Sequence, residues 1–120
     1  MREKGDTKAL IDNIINTIQD IKGEEIVILD LTAIDNTFCS YFIICTGNSN
    51  THVNSIAALI ERKVKENLHT RPWHVEGTEN AQWVLMDYTD IIVHIFQREY
   101  RDFYDLESLW GDAKQISVTN

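Results

Sequence analysis

At 120 residues, with 43% hydrophobic and 25% charged residues, the chain is long enough to bury a core without disulfide or metal staples. Its net charge of −8 and pI near 4.8 argue against a protein that grips a nucleic-acid backbone, which normally presents a basic face. The longest apolar runs are about six residues, against the roughly 20 needed to span a bilayer, and the charged opening Met1–Lys8 has no apolar signal core behind it.

A soluble cytoplasmic protein is therefore expected, with Cys39 and Cys45 as free, buried thiols. One proline, five glycines and no repeat or low-complexity segment indicate a single domain over residues 1–120.

Leu10, Ile11, Ile14, Ile15, Ile18 and Ile21 recur at helical spacing. Asp6 or Thr7 is a suitable N-cap, and Lys22-Gly23 a suitable stop. Glu25–Leu31 reads as a strand and 32–40 as a loop. Tyr41–Thr46 is almost continuously apolar, which predicts a central strand buried on both faces. After Gly47, Asn50 or Ser49 can cap a second helix whose apolar face is Val53, Ile56, Ala57, Ile60, Val64 and Leu68. Pro72 breaks the chain, and Trp73–Glu76 reads as a short strand.

Two β-branched and aromatic runs follow, Trp83–Met86 and Ile91–Phe96, separated by Asp87-Tyr88-Thr89-Asp90. They predict a hairpin. Tyr88-Thr89 is poor chemistry for a turn needing positive φ, so a loop slightly longer than two residues is expected. Aromatics and leucines at 100, 103, 104, 106, 109 and 110 suit a short helix packing back on the hairpin. Gln115–Asn120 is polar and is expected to fray. The resulting fold class is α/β: a mixed five-stranded sheet, two long helices packed on it and a short C-terminal helix.

Charge is concentrated late in the chain. Residues 76–112 hold nine acids and two bases, so seven of the eight net negative charges fall there. Such a region can draw in a basic protein partner. Strand alternation puts Trp83, Leu85 and Asp87 on one face and Val84 and Met86 on the other. The pattern leaves open which set lines the core, and whether Trp83 and Tyr88 are core or exposed anchors. Trp110 reads as core.

Enzymatic chemistry finds little support. The Gly47–helix junction could cradle a phosphate, but it lacks both the glycines and lysine of a phosphate loop and the three spaced glycines of a dinucleotide fingerprint. Asp87 and Asp90 could form a carboxylate pair, yet Asp is common at hairpin turns. His52, His69, His74 and His94 and the two cysteines show no metal-ligand spacing. His94, inside an apolar strand, reads as a structural histidine. A phosphate-handling, nucleotidyltransferase-like enzyme is the alternative to a binding module. No cofactor, no catalytic residue and no metal ligand is assigned.

Five stretches together resemble the ribosomal silencing factor family, also called iojap-like proteins. They are Tyr41–Ser49, His52–Ala57, Val75–Gly77, Trp83–Phe96 and Arg101–Ala113. Two positions depart from the family pattern, with Ser40 where Asp is usual before the central strand and Thr89 where the hairpin turn usually has Gly.

The resemblance implies a nucleotidyltransferase-like sheet without catalysis. It also implies a repressor that binds the large ribosomal subunit through ribosomal protein fourteen, blocks joining of the small subunit and lowers translation when nutrients are short. Carried over from the family, the partner-binding residues are Glu76, Asn80, Trp83 and Tyr88, with Asp87 and His94. An exposed hairpin also suits pairing with a second copy, so a homodimer burying the same face would compete with the ribosome.

Overall fold

Alternation along the strands decides which side of the sheet each helix covers. The computed structural model describes residues 4–119. Met1–Glu3 of the charged opening and Asn120 of the tail lie outside the described residues.

Helix α1 spans Lys4–Asp20, so Asp6 and Thr7 sit in its first turn rather than capping it. It stops where Lys22 turns left-handed (φ 66°) and Gly23 N–H bonds back to the Ile18 carbonyl at 2.8 Å. Strands β1 (Glu24–Asp30) and β2 (Tyr41–Gly47) follow. Helix α2 (Asn50–Leu68) is capped by Ser49, whose Oγ accepts the His52 N–H. Next come β3 (His74–Glu76), β4 (Trp83–Asp87) and β5 (Ile91–Gln97), the short helices α3 (Arg98–Tyr104) and α4 (Leu106–Leu109), and β6 (Lys114–Val118).

The sheet order is β3-β4-β5-β2-β1-β6. β2 and β5 run parallel, and the other neighbours pair antiparallel. Two expectations need correction. The sheet has six strands, not five, and residues 114–118 are not a frayed tail: they pair along β1, with Ile116 opposite Ile28 and Val118 opposite Ile26. The strand was hard to see because only 116 and 118 are apolar. As an edge strand it buries little, so its sequence stays polar.

As expected for a central strand, β2 is buried from Phe42 through Gly47. One face of the sheet packs Ile43, Val84, Met86, Val93 and Ile95 against Leu10, Ile14 and Ile18 of α1 and Val53, Ile56 and Ile60 of α2. The opposite face packs Leu29, Phe42, Ile44, Ile92 and Phe96 under Leu106, with Tyr100 and Trp110 partly buried at its margin. Two long helices seal the first face. Only α3, α4 and the 31–40 loop cover the second, so part of it stays open.

Arg101 fastens that thinner cover. Its side chain is buried (4% exposed). The β1–β2 register shifts between Glu24 and Val27, and Glu25 has φ 48°. There the Glu25 carbonyl accepts from Arg101 Nη1 at 2.6 Å; Thr46 Oγ1 accepts from the same nitrogen at 2.9 Å and Glu107 from Nη2 at 3.2 Å. Arg98 adds an exposed pair with the Glu25 carboxylate, which holds that carboxyl below its usual range.

Candidate docking face

Odd-numbered residues of β4 point to the half-open face. Val84 and Met86 are fully buried beneath α1 and α2, while Trp83, Leu85 and Asp87 are only partly covered. The set left available is therefore Trp83, Leu85 and Asp87. Glu76 and His74 share that side, because they pair in register with Leu85 and Asp87.

Trp83 is held on three sides. Its ring stacks on Phe96 (centroids 5.0 Å apart, 25° between planes) and leans on Tyr104 of α3 at 4.7 Å. Its Nε1–H donates to His94 Nδ1 at 3.0 Å. That bond makes Nδ1 the acceptor, so the neutral imidazole carries its proton on Nε2. Nε2 is buried with no hydrogen-bond partner among the described residues, and the ring meets Phe42 edge-on at 4.5 Å. His94 is 3% exposed, and burial holds its pKa down at about 3. His94 is thus neutral at ordinary pH and is linked to the open face through Trp83.

Beside Trp83 lies an open cleft of about 520 Å³ whose lining includes Glu76, Glu79, Asn80, Gln82, Trp83 and Tyr104. The structure thereby brings together Glu76, Asn80 and Trp83. The loop between β3 and β4 is fixed by several bonds. Ala81 N–H donates to the Gly77 carbonyl, the Asn54 amide to Thr78, and the Gln97 amide to Ala81. Gly77 has φ +90°, and a Cβ there would lie 2.0 Å from the Trp83 carbonyl oxygen. Only glycine lets the loop lie against the strand that carries Trp83.

Tyr88 requires a correction. It is 1% exposed and continues the inward parity of Val84 and Met86 into the turn, joining the core beneath α1 and α2. Burial raises the pKa of its phenol, and its hydroxyl has no partner among the described residues. Its ring props the hairpin from inside and offers no side chain to a partner. The loop itself is three residues long, with Thr89 left-handed at φ 76° and its N–H on Asp87 Oδ1 at 2.7 Å. That φ is the physical reason glycine suits this position, and Thr89 adopts it under strain.

Carboxylates ring the face. Glu76 and Asp87 project from it, Glu79 lines the cleft, and Glu99, Asp102 and Asp105 sit on α3 or its C-cap, the helix that partly covers it. The aromatics at 103 and 104, expected to pack back on the hairpin, divide between two roles. Tyr104 packs on Trp83 yet stays 46% exposed, and Phe103, beside Tyr104 at 5.1 Å, is 78% exposed; in a helix as short as α3, periodicity cannot tell an outward aromatic from a packing one. Trp110 is partly buried edge-on against Phe42 at 5.6 Å.

Elsewhere the structure places candidate chemistry in local roles. At the start of α2, Asn48 N–H is held by His52 Nδ1 at 2.9 Å, His52 N–H by Ser49 Oγ and Val53 N–H by the Ser49 carbonyl. His52 Nε2 bonds the Ile21 carbonyl at 2.7 Å. Three of the N–H groups at this junction are therefore engaged within the fold. Burial pushes the Cys39 thiol up to about 11 and Cys45 up to about 12, so both are poor nucleophiles.

An α/β sheet sealed on one side by two long helices, and half open on the other with aromatics ringed by carboxylates, is suited to docking a basic protein surface. The comparisons with known proteins identify the chain further. The family model described as "Ribosomal silencing factor during starvation" matches residues 4–120. Ribosomal silencing factor RsfS of Halalkalibacterium halodurans is 37% identical over 109 residues, covering 91% of this chain and 92% of its own length.

A solved structure of a Chromobacterium violaceum protein superposes with a TM-score of 0.80 at 34% identity, over 94% of this chain and 92% of that one. A mouse protein named "Mitochondrial assembly of ribosomal large subunit protein 1" is 22% identical over 102 residues, 83% of this chain and 44% of the mouse protein. The chain belongs to the ribosomal silencing factor family.

Proposed function

We propose that this protein silences ribosomes by docking the Trp83 face on the large subunit, through ribosomal protein fourteen, so that the small subunit cannot join. The observation that carries this reading is Trp83 itself: an indole clamped by His94, Phe96 and Tyr104 at the rim of an acidic cleft. A large, preorganised aromatic loses little conformational freedom on binding and suits an interface anchor. The family name and the mouse relative's name support a ribosomal, large-subunit setting.

Glu76 and Asn80 share the cleft with Trp83, and Asp87 extends the face along β4. His94 acts from beneath. Ribosomal proteins are typically basic, so the surrounding carboxylates steer the encounter. Blocking is steric, because an object 34 × 34 × 26 Å seated on the joining surface occupies the space the small subunit needs. It acts in the cytoplasm, as a translational repressor rather than an enzyme.

A photo-crosslinker in place of Gln82, exposed on the cleft rim, tests the contact on isolated large subunits. The expected product is a single adduct with ribosomal protein fourteen, together with reduced subunit joining in sucrose gradients. Adducts spread over unrelated proteins, or undiminished joining, would contradict the reading.

A further inference from the structure

At the far end of the same face lies a second notch, of about 430 Å³, lined by Phe38, Trp73, Asp87 and Thr89. Sequence reasoning gave it no role. Its two rings are among the most exposed apolar side chains described: Trp73 is 83% exposed and Phe38 69%.

Both rings rise from anchored positions. The backbone N–H of Trp73 donates to the Asp87 carbonyl at 2.6 Å, which fixes the main chain that carries the indole at the end of β4. Phe38 is braced behind by Phe42 at 6.3 Å and by Trp110 at 6.5 Å, edge-on. The Asp87 carboxylate is oriented by the Thr89 N–H on its Oδ1.

Two aromatic faces and a fixed carboxylate around one gap are the elements that hold an organic cation: ring quadrupoles attract it and the carboxylate pairs with it. The local field has the matching sign. Next to burial, the long-range charges that raise the pKa of nearby Cys39 are Asp87 and Asp90, both negative.

We propose that the Phe38–Trp73–Asp87 notch receives an arginine or lysine side chain of the basic protein that docks on the Trp83 face, as a second anchor. Trp83 and Asp87 lie four residues apart on β4, a separation of about 14 Å at the usual strand rise, so one partner surface spans both sites. The partner's identity rests on the reading given under Proposed function; the notch's preference for a cation does not.

The test therefore has two arms. In the first, the full chain carrying ¹⁵N-labelled tryptophan is titrated with acetyl-Gly-Arg-Gly-amide and with its citrulline counterpart, which keeps the shape and loses the charge. The Trp73 indole resonance, assigned with Trp73→Phe, is expected to move with the arginine peptide, not with citrulline, and to stop moving in Asp87→Asn. Equal responses to the two peptides, or no response, would overturn the notch.

In the second arm, binding to isolated large subunits is measured against salt. Trp73→Ala is expected to weaken it about 2- to 5-fold, and Asp87→Asn to flatten its salt dependence. A working notch with unchanged subunit affinity in Trp73→Ala would overturn its place in the docking surface. If the unaltered chain fails to bind subunits at all, the proposed function falls and the peptide titration still decides the notch.

Discussion

Replacing His94 by leucine separates the core role of this residue from its role under Trp83. The substitution removes the acceptor of the Trp83 Nε1–H bond, a loss of about 1 kcal/mol, softened where the partly buried indole can turn to water. It also removes the buried Nε2–H that has no partner among the described residues, relieving about 1–3 kcal/mol. Folding stability should therefore range from unchanged to about 2 kcal/mol higher.

For a chain of this length, 1 kcal/mol corresponds to roughly 4 °C in Tm, so His94→Leu should melt at the same temperature or up to about 8 °C higher. Freed of its bond, Trp83 loses preorganisation worth about 0.5–1.5 kcal/mol, and affinity for large subunits should fall roughly 2- to 12-fold. His94→Asn, which keeps an acceptor near the Nδ1 position, should recover most of that affinity. Calorimetric melting and a subunit binding titration read the two effects. A variant that melts well below the unaltered protein, or binds subunits equally well, would refute the reasoning.

Four further outcomes follow from the same geometry. His94 is neutral when folded and takes up a proton when unfolded, so its contribution to stability is complete above pH 6.5 and is lost as pH falls toward about 3, at up to about 1.4 kcal/mol per pH unit; denaturant titrations across pH 4–7 should show a shallower slope in His94→Leu. Thr89→Gly relieves a left-handed threonine, about 1–2 kcal/mol less about 0.5–1 for glycine's freedom when unfolded, and should leave Tm unchanged or raise it by up to roughly 6 °C. Arg101→Met strands the Glu25 carbonyl and the Glu107 carboxylate, and should lower stability by about 3 kcal/mol, seen as a fall in denaturation midpoint that Arg101→Lys does not restore. Gly77→Ala pushes a methyl toward the Trp83 carbonyl; it should weaken subunit binding more than it lowers Tm, and unchanged binding would argue against the loop's role in setting the cleft.

Helical stripes and strand runs made most of the fold legible in the sequence. The isoleucines of α1, the apolar run of β2 and the two runs of the hairpin all lie where their periodicity places them. β6 was missed because an edge strand buries too little to need a strong pattern. The candidate site was legible only in part. Two-residue alternation separated Trp83 from Val84 and Met86, and carried one step further it would have placed Tyr88 inside with them.

The resemblance pointed to Glu76, Asn80 and Trp83, which share a cleft, but it could not show that His94 is buried beneath Trp83 rather than exposed beside it. The brace from Tyr104 and the Trp73–Phe38 notch arise from pairings between distant segments. No local sequence pattern encodes such contacts.

The central claim is that an indole clamped at the open margin of the core anchors this chain to the large subunit. Titrating isolated large subunits with the unaltered chain and with Trp83→Ala, the latter confirmed as folded by its melting transition, tests it most directly. The account expects saturable binding by the first and a loss of about 30-fold or more in the second, as for a hot-spot anchor of 2 kcal/mol or above. Equal affinity of the two proteins would contradict it.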